Sequence, residues 1–196
     1  MSDKETIDVY NARATTYADA FARTKPDADL RAFMDAVTPG GHVLDLGCGP
    51  GNSAAMMQEA GFTTEATDAS PEMVRIACET HKIDARLATF DDIAGTDLYD
   101  GIWANFSLLH APKADMPRHL AALRVALKPG GVFHIGLKIG DDANRDKIGR
   151  LYSYYQEDEL KHLLHDAGFT PRTTRRGAEP GLDGTVAPFI IVLSDG

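Results

Sequence analysis

One short stretch constrains the fold of this chain more than any other: an apolar segment that breaks into a glycine-rich turn. The segment covers residues 43–46, and glycine occupies positions 47, 49 and 51 of the turn. A helix-compatible run at 52–60 follows directly. A strand, a tight glycine turn and a helix N-terminus in this order bring bare backbone close to a small ligand. The stretch therefore predicts a strand–turn–helix unit with a ligand at its turn.

A second acid stands where a ribose-binding group is expected. Asp68 ends a strand-like run at 62–67, downstream of the glycine turn. An acid about 20 residues beyond such a turn can hydrogen-bond both hydroxyls of a ribose. The turn and this acid together predict a site for a cofactor that contains adenosine.

Two common phosphate-binding loops do not fit the turn. A dinucleotide-binding loop reads G-x-G-x-x-G, and Asn52 stands where its third glycine belongs. A P-loop ends in Lys followed by Ser or Thr, and no such pair follows here. Asp45 lies just before the first glycine, where its charge would repel a pyrophosphate but would suit an ammonium group. An NAD-dependent oxidoreductase is therefore the less favoured alternative.

Residues 45–51 resemble the first motif of the class I S-adenosylmethionine (SAM)-dependent methyltransferases, an acid followed by G-x-G-x-G. Asp68 matches the ribose acid of that family. The resemblance is good over residues 43–137 and weak elsewhere, and residues 99–110 are similar to a tellurite-resistance-like subgroup of small bacterial enzymes. It implies an enzyme that moves a methyl group from SAM to a small-molecule acceptor and leaves S-adenosylhomocysteine (SAH). A SAM-binding protein without turnover is the alternative from another class.

Helices and strands alternate along the chain. Pro-Gly-Gly at 39–41 and 129–131 and Ala-Gly-Phe at 60–62 and 167–169 each end a helical segment before a strand. This alternation predicts βαβ units and a mostly parallel sheet. Strands are predicted near 42–46, 63–67, 84–88, 99–104, 131–137, 169–175 and 186–193, and helices near 4–20, 27–37, 51–60, 70–80, 114–127 and 156–167. The glycine- and proline-rich residues 177–184 are predicted to form a loop between the last two strands.

The resemblance implies a Rossmann-like, doubly wound α/β fold with a seven-stranded sheet in the order 3-2-1-4-5-7-6 and the last strand antiparallel. The 196 residues suggest one domain, since domains usually run to about 100–200 residues. Within 1–196 we expect a helical cover at 1–37, a cofactor-binding core at 42–137 and a segment at 138–155 able to act as a lid.

The composition of the chain argues against several classes of binding partner. The net charge of −9 argues against a nucleic-acid partner, since phosphates favour a basic face. The two cysteines form no C-x-x-C pair, so no metal site is expected. The polar start lacks the apolar core of a signal peptide, and no apolar run approaches a membrane span, so we expect a cytoplasmic protein without a membrane contact. The oligomeric state stays open.

Ligands of open α/β sheets bind beyond the carboxyl ends of the strands, so residues at those ends are the candidates for cofactor binding. They are Asp45, Gly47, Cys48, Gly49 and Pro50 after strand one; Asp68, Ala69, Ser70 and Met73 after strand two; Phe90, Asp91 and Asp92 after strand three; and Asn105 and Phe106 after strand four. The resemblance implies that Asp45 receives the cofactor's amino group and Asp68 its ribose. It also implies an acid that binds the adenine amino group, and Asp91 or Asp92 is the candidate for this role. The alternative is that these two residues are a capping or solvated pair.

Candidates for the acceptor side lie outside these turns. His110, after strand four, is either a general base or a hydrogen-bonded residue that shapes its loop. Tyr10 and Tyr17 are seven apart and share a helical face, so Tyr10 is a substrate candidate and Tyr17 a cofactor candidate, or both simply pack. Arg150, flanked by Tyr152 and Tyr154, is expected to bind an anionic or aromatic small molecule, with a solvated surface as the alternative.

Overall fold

The computed structural model describes residues 3–196, so Met1 and Ser2, the start of the predicted cover, lie outside the described residues. The helices are α1 Lys4–Ala20, α2 Ala28–Ala36, α3 Asn52–Glu59, α4 Pro71–His81, α5 Met116–Ala126 and α6 Glu157–Asp166. The strands are β1 His42–Leu46, β2 Thr63–Asp68, β3 Ala85–Leu87, β4 Tyr99–Asn105, β5 Leu127–Lys138, β6 Ala143–Arg145, β7 Leu151–Ser153, β8 Thr170–Pro180 and β9 Val186–Asp195. The predicted helices and main strands are all present.

Seven strands form one sheet in the order β3-β2-β1-β4-β5-β9-β8. Strands β1 to β5 are parallel to one another, and β9 lies antiparallel between β5 and β8. Because β6 and β7 pair separately, the sheet has the predicted order 3-2-1-4-5-7-6 with an antiparallel last strand, and this prediction is confirmed.

Both faces of the sheet are covered by helices. On one face, residues of α5 and α6 such as Leu120 and Leu160 pack with Leu44 of β1. On the other face, Phe33 of α2 packs with Val43 of β1. Successive strand residues thus point to opposite apolar layers, as expected of a doubly wound parallel sheet. With both faces buried, a ligand reaches the sheet at the ends of its strands.

Local capping signals explain where helices begin. The Ser70 side chain accepts a hydrogen bond from the backbone N–H of Met73 at 3.2 Å, and Pro71 takes the first helical position of α4. Asp3 caps α1 in the same way, accepting from the Thr6 N–H at 2.9 Å. These contacts fix the start of α1 and α4, the two helices that flank the glycine turn.

The structure corrects the end of β8. The loop predicted at 177–184 is shorter, because β8 continues to Pro180 and Gly177 pairs with Phe189 of β9. A side chain on Gly177 would overlap the Phe189 ring, so this glycine allows the ring to lie across the strand. The glycine and proline content of residues 177–184 is typical of a loop. The strand forms there because residues 177–180 pair with β9, a contact that the local composition does not reveal.

The predicted lid at 138–155 contains the hairpin β6–β7, which was not predicted. Thr6 of α1 accepts a hydrogen bond from the Leu151 N–H at 2.8 Å through its hydroxyl, and Asp3 forms an ion pair with Arg145. The hairpin is thus packed against α1 at the carboxyl ends of the parallel strands.

Candidate cofactor and acceptor site

The glycine turn is held tightly between neighbouring elements. The N–H groups of Gly47 and Cys48 both donate to the Thr67 carbonyl, at 2.8 and 2.9 Å, which ties the turn to β2. Gly47 has φ +73°, a conformation that disfavours residues with a side chain. A Cβ at this position would collide with the Cβ of Ser107, which follows β4. The turn therefore leaves backbone exposed to the edge of the sheet, where a ligand can approach it.

Asp68 connects the turn to α4. One carboxylate oxygen accepts from the Gly49 N–H at 2.8 Å, and the other accepts from the Ser70 N–H at 2.8 Å. Burial raises the pKa of Asp68, and these backbone hydrogen bonds oppose the rise. Each carboxylate oxygen can accept a further hydrogen bond, so the residue is preorganised to receive two hydroxyls.

Asp45 has an unsatisfied carboxylate. Its side chain is buried and accepts from the Ala54 backbone, while its Oδ2 atom has no partner among the described residues. Burial, and next the charge of Asp68, raise the pKa of Asp45 to about 7. A buried carboxylate is costly unless a cation meets it. The amino group of SAM is such a cation, so the donor set fits the cofactor implied by the resemblance.

Two adjoining spaces lie at this edge of the sheet. A narrow cavity of about 90 Å³ lies between α1 and the carboxyl ends of β1, β2 and β4. A cleft of about 660 Å³ extends from it toward β5, β8 and β9. Both spaces are lined by Tyr10, Tyr17, Gly47, Gly49, Asn105 and Phe106.

Most of the predicted site residues line one of these spaces. The narrow cavity is also lined by Asp68, Ala69, Ser70, Met73, Phe90 and His110. The cleft is also lined by Asp45, Cys48, Pro50, Arg150 and Tyr152. Three predicted residues, Asp91, Asp92 and Tyr154, line neither of the two. The fold thus brings together predicted residues that are far apart in the sequence.

The geometry does not support an adenine contact from Asp91 or Asp92. Asp91 forms an ion pair with Arg118 at 2.6 Å. Asp92 accepts from the backbone N–H and the hydroxyl of Thr89, both at 2.8 Å, and so caps a short 3₁₀ turn. Each carboxylate is therefore occupied outside the cavity. Phe90, between Thr89 and this pair, is the residue of the turn that lines it.

His110 is part of a partly buried hydrogen-bond network. Its Nδ1 atom lies 2.6 Å from the Leu151 carbonyl, and its Nε2 atom lies 2.8 Å from the Tyr10 hydroxyl. A carbonyl only accepts, so Nδ1 carries the proton and Tyr10 donates to Nε2. Burial lowers the pKa of His110 to about 4. Both ring nitrogens are engaged, so this arrangement does not favour a general base and agrees with the alternative that His110 shapes its loop.

Arg150 holds the other end of this network. It forms an ion pair with Asp146 at 2.7 Å, and its side chain is only 3% exposed. It donates to the Tyr10 hydroxyl at 2.9 Å and lies between the rings of Tyr10 and Tyr152, at 5.3 and 5.1 Å from their centroids. Because Asp146 already balances its charge, Arg150 is not a free site for an anion. Its contact with Tyr10 instead joins the hairpin to α1. Tyr154 stacks on Tyr152 outside the cleft.

We expect His110 to stay neutral from pH 8 down to about 5 in the folded protein, because burial lowers its pKa to about 4. The unfolded chain takes up this proton near pH 6.5, so the residue's contribution to stability is lost as the pH falls from 6.5 toward 4. An NMR titration of the ring nitrogens measures the ionisation directly. His110→Phe should remove this part of the pH dependence of unfolding. A titration midpoint above about 6 would contradict the assignment.

Several charged residues that line the cleft were not predicted as site residues, and two of them, Arg23 and Lys138, are cations that bear on ligand binding. Arg23 lies in the loop after α1, pairs with Asp27, and influences the pKa of Asp45. Lys138 ends β5 and lines the cleft close to Phe106. Neither belongs to a motif with a fixed spacing, so the sequence alone gives no signal for them.

Comparison with known proteins identifies the family of the chain. A family model described as a methyltransferase domain matches residues 17–174. Trans-aconitate 2-methyltransferase of Deinococcus radiodurans is 31% identical over 163 residues, which cover 82% of this chain and 60% of that protein. The aligned region thus spans about three fifths of this relative.

Solved structures share the fold. One is the Burkholderia thailandensis 1,6-didemethyltoxoflavin-N1-methyltransferase with bound 1,6-didemethyltoxoflavin and SAH, with a TM-score of 0.73 and 23% identity. The match covers 96% of this chain and 86% of that one. Another is a SAM-dependent methyltransferase of Methanosarcina mazei, with a TM-score of 0.75, 16% identity and coverage of 88% and 98%.

The family match extends over the glycine turn, both acids and most of the sheet. Within residues 3–196, no helix is long and apolar enough to cross a membrane. With its strand order, its glycine turn and an unsatisfied acid that fits the amino group of SAM, this chain belongs to the class I SAM-dependent methyltransferases.

Proposed function

We propose that this protein transfers a methyl group from SAM to a small-molecule acceptor. The observation that carries the proposal is the buried Asp45 Oδ2 atom, which lacks a partner among the described residues and lies beside the glycine turn. Bound SAM supplies an electrophilic methyl group on a sulfonium. The amino group would be held by Asp45, the ribose by Asp68 and the methionine carboxylate by Arg23, while Met73 and Phe90 would pack on the adenine.

The chain's own residues contribute mainly position and exclusion of water. Tyr10 and Tyr17 of α1 cover the narrow cavity, and their rings pack edge to face with centroids 5.6 Å apart. Methyl transfer is an in-line displacement with a neutral leaving group, so it needs no general acid. Holding the reacting atoms in line can supply roughly 7–11 kcal/mol. His110 and Arg150 support this cover by fixing the Tyr10 hydroxyl.

The size of the cleft, about 660 Å³, suits a small-molecule acceptor. The relative from Deinococcus radiodurans is named as a methyltransferase of trans-aconitate, a small molecule, which supports the same class. The cytoplasmic location, the absence of a nucleic-acid partner and the tellurite-resistance-like subgroup stay predictions from the sequence.

Two assays on the full chain test the proposal. Calorimetry should detect binding of SAH, and methyl-labelled SAM incubated with a broad panel of small metabolites should yield labelled product. Binding of SAH without transfer to any member of the panel would favour a SAM-binding protein without turnover. Failure to bind SAH would contradict the cofactor assignment, and a parallel titration with NADH would then test the dinucleotide alternative.

A further inference from the structure

Lys138 is a buried cation in an exceptional position. It ends β5 at the carboxyl edge of the sheet and lines the cleft. The residue is 8% exposed, and its ammonium group lies 6.0 Å from the centroid of the Phe106 ring. Phe106 follows β4 and lines both the cleft and the narrow cavity. Lys138 therefore faces the part of the cleft that adjoins the cofactor site.

The other cations of the cleft are already paired. Arg150 pairs with Asp146, whose side chain is only 9% exposed. Arg175 pairs with Asp29, and Arg23, which forms a partly exposed pair with Asp27, is the cation already assigned above to the carboxylate of SAM. Among residues 3–196, no carboxylate lies within ion-pair distance of Lys138. Burial lowers the pKa of Lys138, and the nearby charges of Glu179 and Asp183 oppose this shift while Arg150 adds to it. A buried ammonium without a counter-ion is costly, so this position suits an anionic ligand.

The sheet separates Lys138 from the residue that would hold the amino group of SAM. Asp45 lies on β1 and Lys138 ends β5, and β4 lies between these two strands. Neighbouring strands are about 5 Å apart, so Lys138 lies about 10 Å across the sheet from Asp45. Lys138 is therefore on the acceptor side of the cleft.

We propose that Lys138 binds a carboxylate of the methyl acceptor, so that the substrates of this protein are small carboxylic acids. The proposal rests on the methyltransferase function proposed above and names the substrate class of the same site. The ammonium group is a compact charge that can meet a carboxylate in several orientations. Phe106 and Ile191 add an apolar wall, which excludes water from the pair and strengthens it.

Matched pairs of ligands test the substrate class. SAH-loaded protein is heated with small carboxylic acids and, separately, with the primary amide of each acid, which keeps the shape and removes the charge. The expected result is that acids raise the melting temperature and their amides do not. If no acid raises it more than its amide does, the proposal is overturned, whether or not methyl transfer occurs with other acceptors.

Substitutions test the residue. For an acid that binds, Lys138→Met should weaken binding about 100-fold, while Lys138→Arg keeps the charge and should retain much of the affinity. The matched control is Lys128→Met at the other end of β5, where the ammonium pairs with Asp100, and it should change acid binding by no more than about twofold. The melting temperature of the free Lys138→Met protein shows that it folds.

Calorimetry with SAH separates failure of this proposal from failure of the proposed function. Lys138→Met should bind SAH within about twofold of the unsubstituted protein. Unchanged acid binding by Lys138→Met, or a comparable loss of SAH affinity, overturns the assignment of Lys138 to the acceptor and leaves the methyltransferase function standing. Absence of SAH binding by the unsubstituted protein would contradict the proposed function itself.

Discussion

Asp45→Asn is expected to weaken SAH binding by about 100-fold and to make the free protein more stable. The loss follows because a buried carboxylate that meets a cation is replaced by a neutral amide, a change that typically costs about 2–5 kcal/mol of binding. The gain follows because the Asp45 Oδ2 atom is buried without a partner among the described residues. At pH 8 we expect a gain of about 1–3 kcal/mol in the free energy of unfolding.

The pH dependence should separate these effects. The pKa of Asp45 is raised to about 7 in the folded protein from an ordinary value of 3.8. The folded chain therefore holds a proton that the unfolded chain loses, and this residue's contribution to stability falls as the pH rises from 3.8 to 7. SAH binding needs the carboxylate, so affinity should fall about tenfold for each pH unit below 7.

Calorimetry at several pH values and thermal unfolding of the free protein measure both quantities. Asp92→Asn is the matched control, since Asp92 caps a short turn and lines neither space. It should leave SAH affinity within about twofold. An Asp45→Asn protein that binds SAH as tightly as the unsubstituted one would remove Asp45 from the cofactor site.

Gly47→Ala is expected to destabilise the fold by about 3–5 kcal/mol, a large part of the stability of a single domain. Gly47 has φ +73°, which costs a residue with a side chain about 1–2 kcal/mol. The added Cβ would also collide with the Cβ of Ser107, an atom that no rotamer change can move. Relief therefore needs a backbone shift of the turn or of the segment after β4.

Gly130→Ala is the control that separates the effect of the collision with Ser107 from the effect of a positive φ angle. Gly130 has φ +75°, close to that of Gly47, but a Cβ there meets no atom within 4 Å. Urea unfolding of the two variants should therefore give a loss of about 1–2 kcal/mol for Gly130→Ala and a clearly larger loss for Gly47→Ala. Equal losses would show that the close approach of Ser107 does not constrain the turn.

The parts of the fold that follow local signals could be predicted from the sequence. Ser70 and Pro71 mark the start of α4 within a few residues, and the structure places the helix there. The glycine turn and the two acids, Asp45 and Asp68, form a continuous local pattern around β1 and β2. Strand order came from the family resemblance, because pairing between distant strands leaves little trace in a single sequence.

The parts that depend on distant contacts could not be predicted. The hairpin β6–β7 is attached to α1 through Thr6 and Leu151, which are 145 positions apart. The direction of the Asp91 carboxylate is set by Arg118, 27 positions away. The surroundings likewise decide the roles of His110 and Lys138, because the sequence records the type of each side chain but not which partners surround it. Site residues within the glycine turn were therefore predictable, while those of the acceptor side were not.

A crystal structure of the protein with SAH tests the central claim most directly. The account predicts that the amino group of SAH lies within hydrogen-bond distance of the Asp45 carboxylate and that the ribose hydroxyls lie against Asp68. Electron density that places SAH away from these two carboxylates, with the glycine turn free of ligand, would contradict it.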